Sequence, residues 1–206
     1  MGLRRFAILL LVLFAFSTLS QAQRADASFV VGGAFASEDN SGVAITCTIP
    51  CPPTFHFSNN HHVFYEGTGA VRLANFKLVS LHLEVPVSFI PSAEVIFPAT
   101  PPANPLKLST IFVTPSLRVK LAPGSTVSPF ASIGGGWAHY SVGSGLTSNS
   151  GALQFGGGVD IKTGIPLLGF RAEVRDFIAG NPKFGSLSVR AGLHNLLAGG
   201  GIVFRF

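Results

Sequence analysis

Along most of this chain apolar side chains recur at every second position, and polar residues or glycines fill the positions between. Successive side chains of an extended strand point to opposite faces, so each run predicts a strand with one apolar and one polar face. Clusters of Gly, Pro, Asn and Ser separate the runs. The pattern predicts about eight strands, near Phe29–Ser37, Phe64–Asn75, Val79–Phe89, Thr110–Leu121, Val127–Ser141, Ala152–Thr163, Leu167–Ile178 and Leu196–Phe206. Their lengths suit a bilayer, since a tilted strand crosses the hydrocarbon core in roughly 9–11 residues. The connections alternate. Phe76-Lys77-Leu78, Ala122–Thr126 and Gly164-Ile165-Pro166 are short, whereas Glu38–Val63, Ile90–Ser109, Val142–Gly151 and Ala179–Asn195 are long. Membrane barrels sort their turns to one side and their long loops to the other in this way.

The charges decide which face is which. Arg171, Glu173 and Arg175 share one face of their strand, opposite Phe170, Ala172 and Val174. Gln154, Asp160 and Lys162 oppose Phe155, Val159 and Ile161, and Ser116, Arg118 and Lys120 oppose Leu117 and Val119. Glu84 and His82 oppose Leu83 and Val85, while Glu66 and Arg72 oppose Tyr65 and Val71. In the last strand Arg205 opposes Phe204 and Phe206. A charge facing lipid at the bilayer midplane costs ~2–4 kcal/mol, so the charged faces are expected to line the interior. A soluble barrel would show the reverse, with charges toward water and an apolar inside. The expected fold is all-β, an antiparallel up-and-down transmembrane barrel. Its lumen network comprises Glu66, Arg72, Glu84, Arg118, Lys120, Asp160, Lys162, Arg171, Glu173, Arg175 and Arg205. Eight strands leave an interior that side chains can just fill, so this mixed-sign set reads as a cross-linked plug rather than an open pore.

Composition agrees. Charged residues are 11% and hydrophobic residues 47%, against ~25% charged in an average soluble domain. Residues 1–22 carry Arg4 and Arg5, an apolar run from Phe6 to Phe16 and the small-x-small end Ser20-Gln21-Ala22. This is the layout of a secretory signal peptide, with a core too short to span a bilayer. Cleavage is expected before Gln23, leaving 23–206 as the barrel domain. The formal net charge of +5 includes Arg4 and Arg5; the remainder is too small to point to nucleic acid.

These stretches resemble a known family. Val127-Ser128-Pro129-Phe130, Gly134-Gly135-Gly136-Trp137, Phe155–Asp160 and Phe170–Phe177 are similar to small eight-stranded bacterial outer-membrane barrels of the OmpA/OmpX type. The ending Ile202-Val203-Phe204-Arg205-Phe206 resembles the C-terminal insertion signal of such proteins, with Phe204 and Phe206 as its aromatic positions. The resemblance implies location in the outer membrane and contact with outer-membrane lipid. It also implies handling by periplasmic chaperones and the barrel-assembly machinery during biogenesis. Family roles vary, so it implies no particular activity.

Candidate chemistry is sparse. Cys47 and Cys51 stand in the first long loop. In an oxidising compartment they can close a local disulfide; a redox-active pair would need basic neighbours or a helix N-terminus to lower a thiol pKa, and the flanks are Pro-rich. His56, His61 and His62 share that loop, but their spacing does not match a zinc site, and no metal or cofactor is expected. His139 and Ser141 lie two apart on one strand face, similar to the catalytic pair of outer-membrane lipid A deacylases. The simpler reading of Trp137, His139 and Tyr140 is a belt at the headgroup level. The glycine triplets lack the strand–helix setting and Lys of a phosphate loop. The function expected is a non-enzymatic outer-membrane barrel with a structural or surface-interaction role through its external loops. The alternatives are a lipid-modifying enzyme and a secreted lipocalin-like ligand carrier.

Overall fold

The computed structural model describes residues 25–37, 44–45, 56–57, 62–96, 106–142, 145–165, 167–180, 183–184, 187–190 and 193–206. Residues 1–24, which include the expected signal segment, lie outside the described residues, as do Cys47, Cys51, His61 and the Pro98–Pro105 run. In chain order the strands are β1 (Ala25–Ser37), β2 (Ala44–Ile45), β3 (His56–Phe57), β4 (His62–Asn75), β5 (Val79–Ile96), β6 (Leu106–Val113) and β7 (Ser116–Leu121). They continue as β8 (Val127–Val142), β9 (Thr147–Lys162), β10 (Leu168–Ala179), β11 (Lys183–Phe184), β12 (Leu187–Arg190) and β13 (Leu193–Arg205).

Eight staves close a barrel: β1, β4, β5, the β6/β7 pair, β8, β9, β10 and β13, each antiparallel to its neighbours. The closing seam runs from Asp26↔Arg205 to Ser37↔His194. Closure removes the free edges that an open sheet would expose. The fourth stave is split at Thr114-Pro115 because proline has no N–H to give the ladder. The break is bridged locally: Thr114 N donates to Pro86 O at 3.3 Å, and Gly135 N donates to Pro115 O at 3.2 Å.

The strands reach further toward the long-loop end than alternation predicts. β5 continues to Ile96, and Ser141 pairs with Thr147, which leaves 143–146 as the β8–β9 connection in place of the expected Val142–Gly151 loop. Backbone pairing continues there although Ser148, Asn149 and Ser150 are polar on both faces, so the period-2 signal is lost while the ladder persists. Loop segments also pair with each other: β12 bonds β2 through Val189↔Ile45 and Arg190↔Ala44, joining the first long loop to the fourth.

Inside and outside are cleanly separated. Phe29, Leu83, Val85, Phe89, Leu117, Val119, Phe155, Phe170, Val174, Ile202 and Phe204 are exposed on the outer wall. Glu66, Glu84, Arg118, Asp160, Arg171 and Arg175 are buried within. Glycines make this packing possible by close approach. A Cβ on Gly158 would lie 2.8 Å from the Phe130 ring, and one on Gly32 would lie 2.7 Å from the Phe64 ring. Both aromatics therefore fold inward over bare backbone.

Candidate functional site

The lumen is filled in two tiers. The lower tier, toward the short turns, is ionic and forms one connected chain. Asp160 accepts from Lys120 Nζ at 2.5 Å and from Arg171 Nε at 2.8 Å. Arg171 Nη1 donates to Ser28 Oγ at 2.9 Å, and its Nη2 lies 3.8 Å from Asp26. Asp26 receives Arg118 Nη2 on both oxygens, at 2.8 and 2.6 Å. Arg118 Nη1 reaches Glu84 at 3.2 Å, and Glu84 accepts from Arg175 Nη1 at 2.8 Å. Arg175 is the hub of the upper end, with Nε 3.0 Å from Glu66 and Nη2 3.1 Å from Glu173. Ser88 and Thr68 donate to Glu66 at 2.7 and 3.0 Å. Phe130 lies between two guanidinium groups, 4.9 Å from that of Arg171 and 5.5 Å from that of Arg118. Such cation–π contacts strengthen once the cation is desolvated.

Above Arg175 the lumen turns apolar. Phe64, Ile90, Phe112, Tyr140, Phe177 and Leu197 form a buried cluster with Val30, Ala34, Ala138, Ala152 and Ala179. Phe112 and Phe177 come from well-separated staves and stack at 4.6 Å across the lumen, while Tyr140 packs edge-on to Phe112 at 6.5 Å. Between the tiers, Ser116 Oγ donates to Gln154 Oε1 at 2.7 Å and Gln154 Nε2 donates to Ser132 Oγ at 3.1 Å. Salt bridges below and stacked rings above thus occupy successive levels of one channel axis.

Of the residues expected in the network, Glu66, Glu84, Arg118, Lys120, Asp160, Arg171, Glu173 and Arg175 are buried and joined. Arg72, Lys162 and Arg205 are not part of its core. They are half-buried near the short-turn end, where solvent still reaches the side chain. Lys162 Nζ donates to Pro123 O at 3.0 Å, and Arg205 Nη2 is 4.0 Å from Asp160. Arg72 makes no ion pair among the described residues.

Two features were not anticipated. Asp26, the link between Arg118 and Arg171, lies ahead of the predicted first strand, which begins at Phe29, whereas β1 begins at Ala25. The alternation of Asp26 with Ser28 and Val30 carried the signal. Charge placement does not reveal the apolar tier, although Phe64 shares parity with Glu66, and Phe177 with Arg175.

The expected headgroup belt needs correction. Trp137 and His139 face outward, stacked at 5.4 Å, but Tyr140 is buried in the lumen because it lies on the opposite parity. His139 Nδ1 is 2.8 Å from Asn149 Oδ1 on the neighbouring strand. Ser141 and His139 share the outer face, yet no hydrogen bond joins their side chains. Asp176 and His194 pair at 3.0 Å on the same outer belt. Side chains of Cys47, Cys51 and His61 lie outside the described residues, as does that of His56 within β3. Among the described residues no group of His, Cys, Asp or Glu is placed to hold a metal ion.

No protein-family model and no curated protein sequence matches the chain. Solved structures do. The outer membrane protein OprG from Pseudomonas aeruginosa is 10% identical, with 89% of this chain and 95% of that one covered at a TM-score of 0.53. Neisserial surface protein A is 15% identical, with coverages of 89% and 97% and a TM-score of 0.49. The outer membrane protease OmpT from Escherichia coli is 9% identical, with coverages of 89% and 97% and a TM-score of 0.49. At these identities a likeness speaks to fold, and a fold by itself sets no function. The likeness to OprG shows that this chain has the closed antiparallel β-barrel fold of an outer-membrane protein.

Proposed function

We propose that the protein is an integral barrel of the bacterial outer membrane, without catalytic activity, whose lumen is sealed and whose long loops face the surroundings. One observation carries this reading: the wall is apolar outside and ionic inside. Five carboxylates and four basic side chains are buried in the lumen, from Asp26, Glu66, Glu84, Asp160 and Glu173 to Arg118, Lys120, Arg171 and Arg175. Only a low-dielectric exterior makes that distribution favourable, because in water the exposed Phe and Leu bands would drive association. A soluble ligand carrier needs the reverse, with a polar exterior and an apolar void.

The two-tier filling supports a closed lumen over a pore. An ion entering the ionic tier would meet compensated charges, and beyond them the Phe112–Phe177 stack offers no polar partner. During biogenesis the chain would use periplasmic chaperones and the assembly machinery, with Phe204 and Phe206 presenting the C-terminal signal. Gel mobility of the purified protein before and after boiling tests the barrel reading, since a folded barrel migrates differently unheated. Identical mobility would reject it. Fractionation of cells then tests location.

A lipid-modifying enzyme is the second reading, and the His139–Asn149 contact is the observation that favours it. An orienting partner on imidazole is what a general base requires, but Ser141 is not hydrogen-bonded to that base and Trp137 covers the ring. The expected result is no acyl release from lipid A or phospholipid by the reconstituted protein. Release that disappears in Ser141→Ala would overturn the non-enzymatic reading.

A further inference from the structure

The short-turn end of the barrel is apolar where a water-facing turn would be polar. Phe76 and Leu78, on either side of Lys77, are 65% and 75% exposed, and Ile165 and Leu167 are 60% and 61% exposed. Turn geometry does not call for these residues. Leu167 sits at φ 68°, a left-handed conformation that favours Gly or Asn over a bulky side chain.

Height explains their presence. A strand rise of ~3.3 Å and a tilt of ~40° give about 2.5 Å of height per residue. An apolar band ~25 Å tall therefore takes about ten residues. On β10 the outward residues Leu168, Phe170, Ala172 and Val174 are apolar and Asp176 is the first polar one. Ten residues down from Asp176 is the 164–167 turn itself. The turns thus end at the lipid boundary instead of projecting beyond it.

Cations ring the same end. Lys77 is exposed between its two apolar neighbours, and Arg72, Lys162 and Arg205 are half-buried around the rim. The carboxylates at this level, Asp26 and Asp160, already hold Arg118, Arg171 and Lys120, with Arg205 4.0 Å from Asp160, so Lys77, Arg72 and Lys162 have no carboxylate partner among the described residues. The rim therefore presents surplus positive charge on an apolar base.

We propose that this rim docks the phosphate headgroups of anionic phospholipids in the leaflet it faces, with Lys77 as the principal contact. The inference rests on the membrane-spanning reading above. A lysine stem can lie along hydrocarbon while its ammonium reaches the headgroup plane, and Phe76 and Leu78 hold that stem at the boundary. A periplasmic polymer offers charge but nothing to cover four large apolar side chains.

The test uses the full chain refolded into vesicles of phosphatidylcholine alone, or mixed equally with phosphatidylglycerol. Gel mobility before and after boiling reports insertion; failure in both vesicle types overturns the membrane reading itself. Native mass spectrometry of the folded barrel released from the mixed vesicles then counts retained lipids. Phosphatidylglycerol is expected in excess. That preference should fall about fivefold in Lys77→Gln, the equivalent of ~1 kcal/mol for one cation near a membrane surface, and persist in Lys77→Arg. Equal retention of the two lipids, or a preference unchanged in Lys77→Gln, overturns the proposal while leaving insertion intact. Co-sedimentation with purified peptidoglycan that Lys77→Gln abolishes, with lipid preference unaltered, would assign the rim to the wall polymer and equally overturn it.

Discussion

Arg175→Met should be among the most damaging single changes this barrel can suffer. The guanidinium serves Glu84 at 2.8 Å, Glu66 at 3.0 Å and Glu173 at 3.1 Å, and all four residues are buried. Methionine keeps much of the volume but removes every donor, leaving Glu66 and Glu173 without their close cation and Glu84 with Arg118 alone. Breaking one buried pair typically costs ~3–5 kcal/mol, because the surviving partner keeps its desolvation penalty. The Ser88 and Thr68 hydroxyls that donate to Glu66 soften the loss but supply no charge. For a urea dependence of ~1–3 kcal/mol per molar, that loss moves the unfolding midpoint down by roughly 1–5 M. The assay is urea unfolding of the refolded barrel in detergent micelles, followed by tryptophan fluorescence from Trp137. Phe170→Leu serves as the control, since it exchanges one lipid-facing apolar side chain for another and should cost well under ~1 kcal/mol. Adding Glu66→Gln and Glu173→Gln to Arg175→Met should recover part of the loss, as expected for coupled neighbours. If Arg175→Met costs no more than Phe170→Leu, the carboxylates are hydrated and the lower tier is a wet channel. A larger loss in Phe170→Leu would mean that the β9–β10 hairpin faces the other way.

Planar-bilayer recordings of the reconstituted protein should show little or no current, because the ionic and aromatic tiers close the lumen in series; stable large steps would refute the sealed reading. Arg171→Leu should destabilise more than Phe170→Leu in the same urea assay, since it leaves Asp160 with Lys120 and the more distant Arg205, 4.0 Å away. Gly158→Ala should cost ~1–3 kcal/mol by overpacking, because its Cβ would fall 2.3 Å from Ala172 O and 2.8 Å from Phe130. Gly67→Ala, with open space around its Cβ, should be nearly silent in that comparison. Deleting Phe206 should lower outer-membrane levels while leaving export intact, and normal levels of the truncated chain in the membrane fraction would sink the insertion-signal reading.

Much of the wall was legible in the chain. Strand number, antiparallel order and the inside–outside split follow from period-2 alternation, because a strand has only two faces and a charge in lipid is too costly to tolerate. Arg171, Glu173 and Arg175 opposite Phe170, Ala172 and Val174 settle one stave without any partner being known. Distance along the barrel axis was not legible in that way. Alternation places Phe64 and Glu66 on one face, yet it cannot say that Phe64 joins the buried apolar cluster with Phe112, Phe177 and Leu197, whereas Glu66 meets Arg175 from a stave across the lumen. Those meetings depend on register and closure, which are set by long-range pairing such as Asp26↔Arg205 and Leu197↔Arg175. The same holds for Asp26, whose charge has meaning only once the closing seam brings it beside Arg118 and Arg171. Local pattern determined which way each side chain points, because that depends on the backbone of a single strand. Tertiary structure decided which side chains share a level, because in a closed barrel partners are chosen by the shear of the whole sheet.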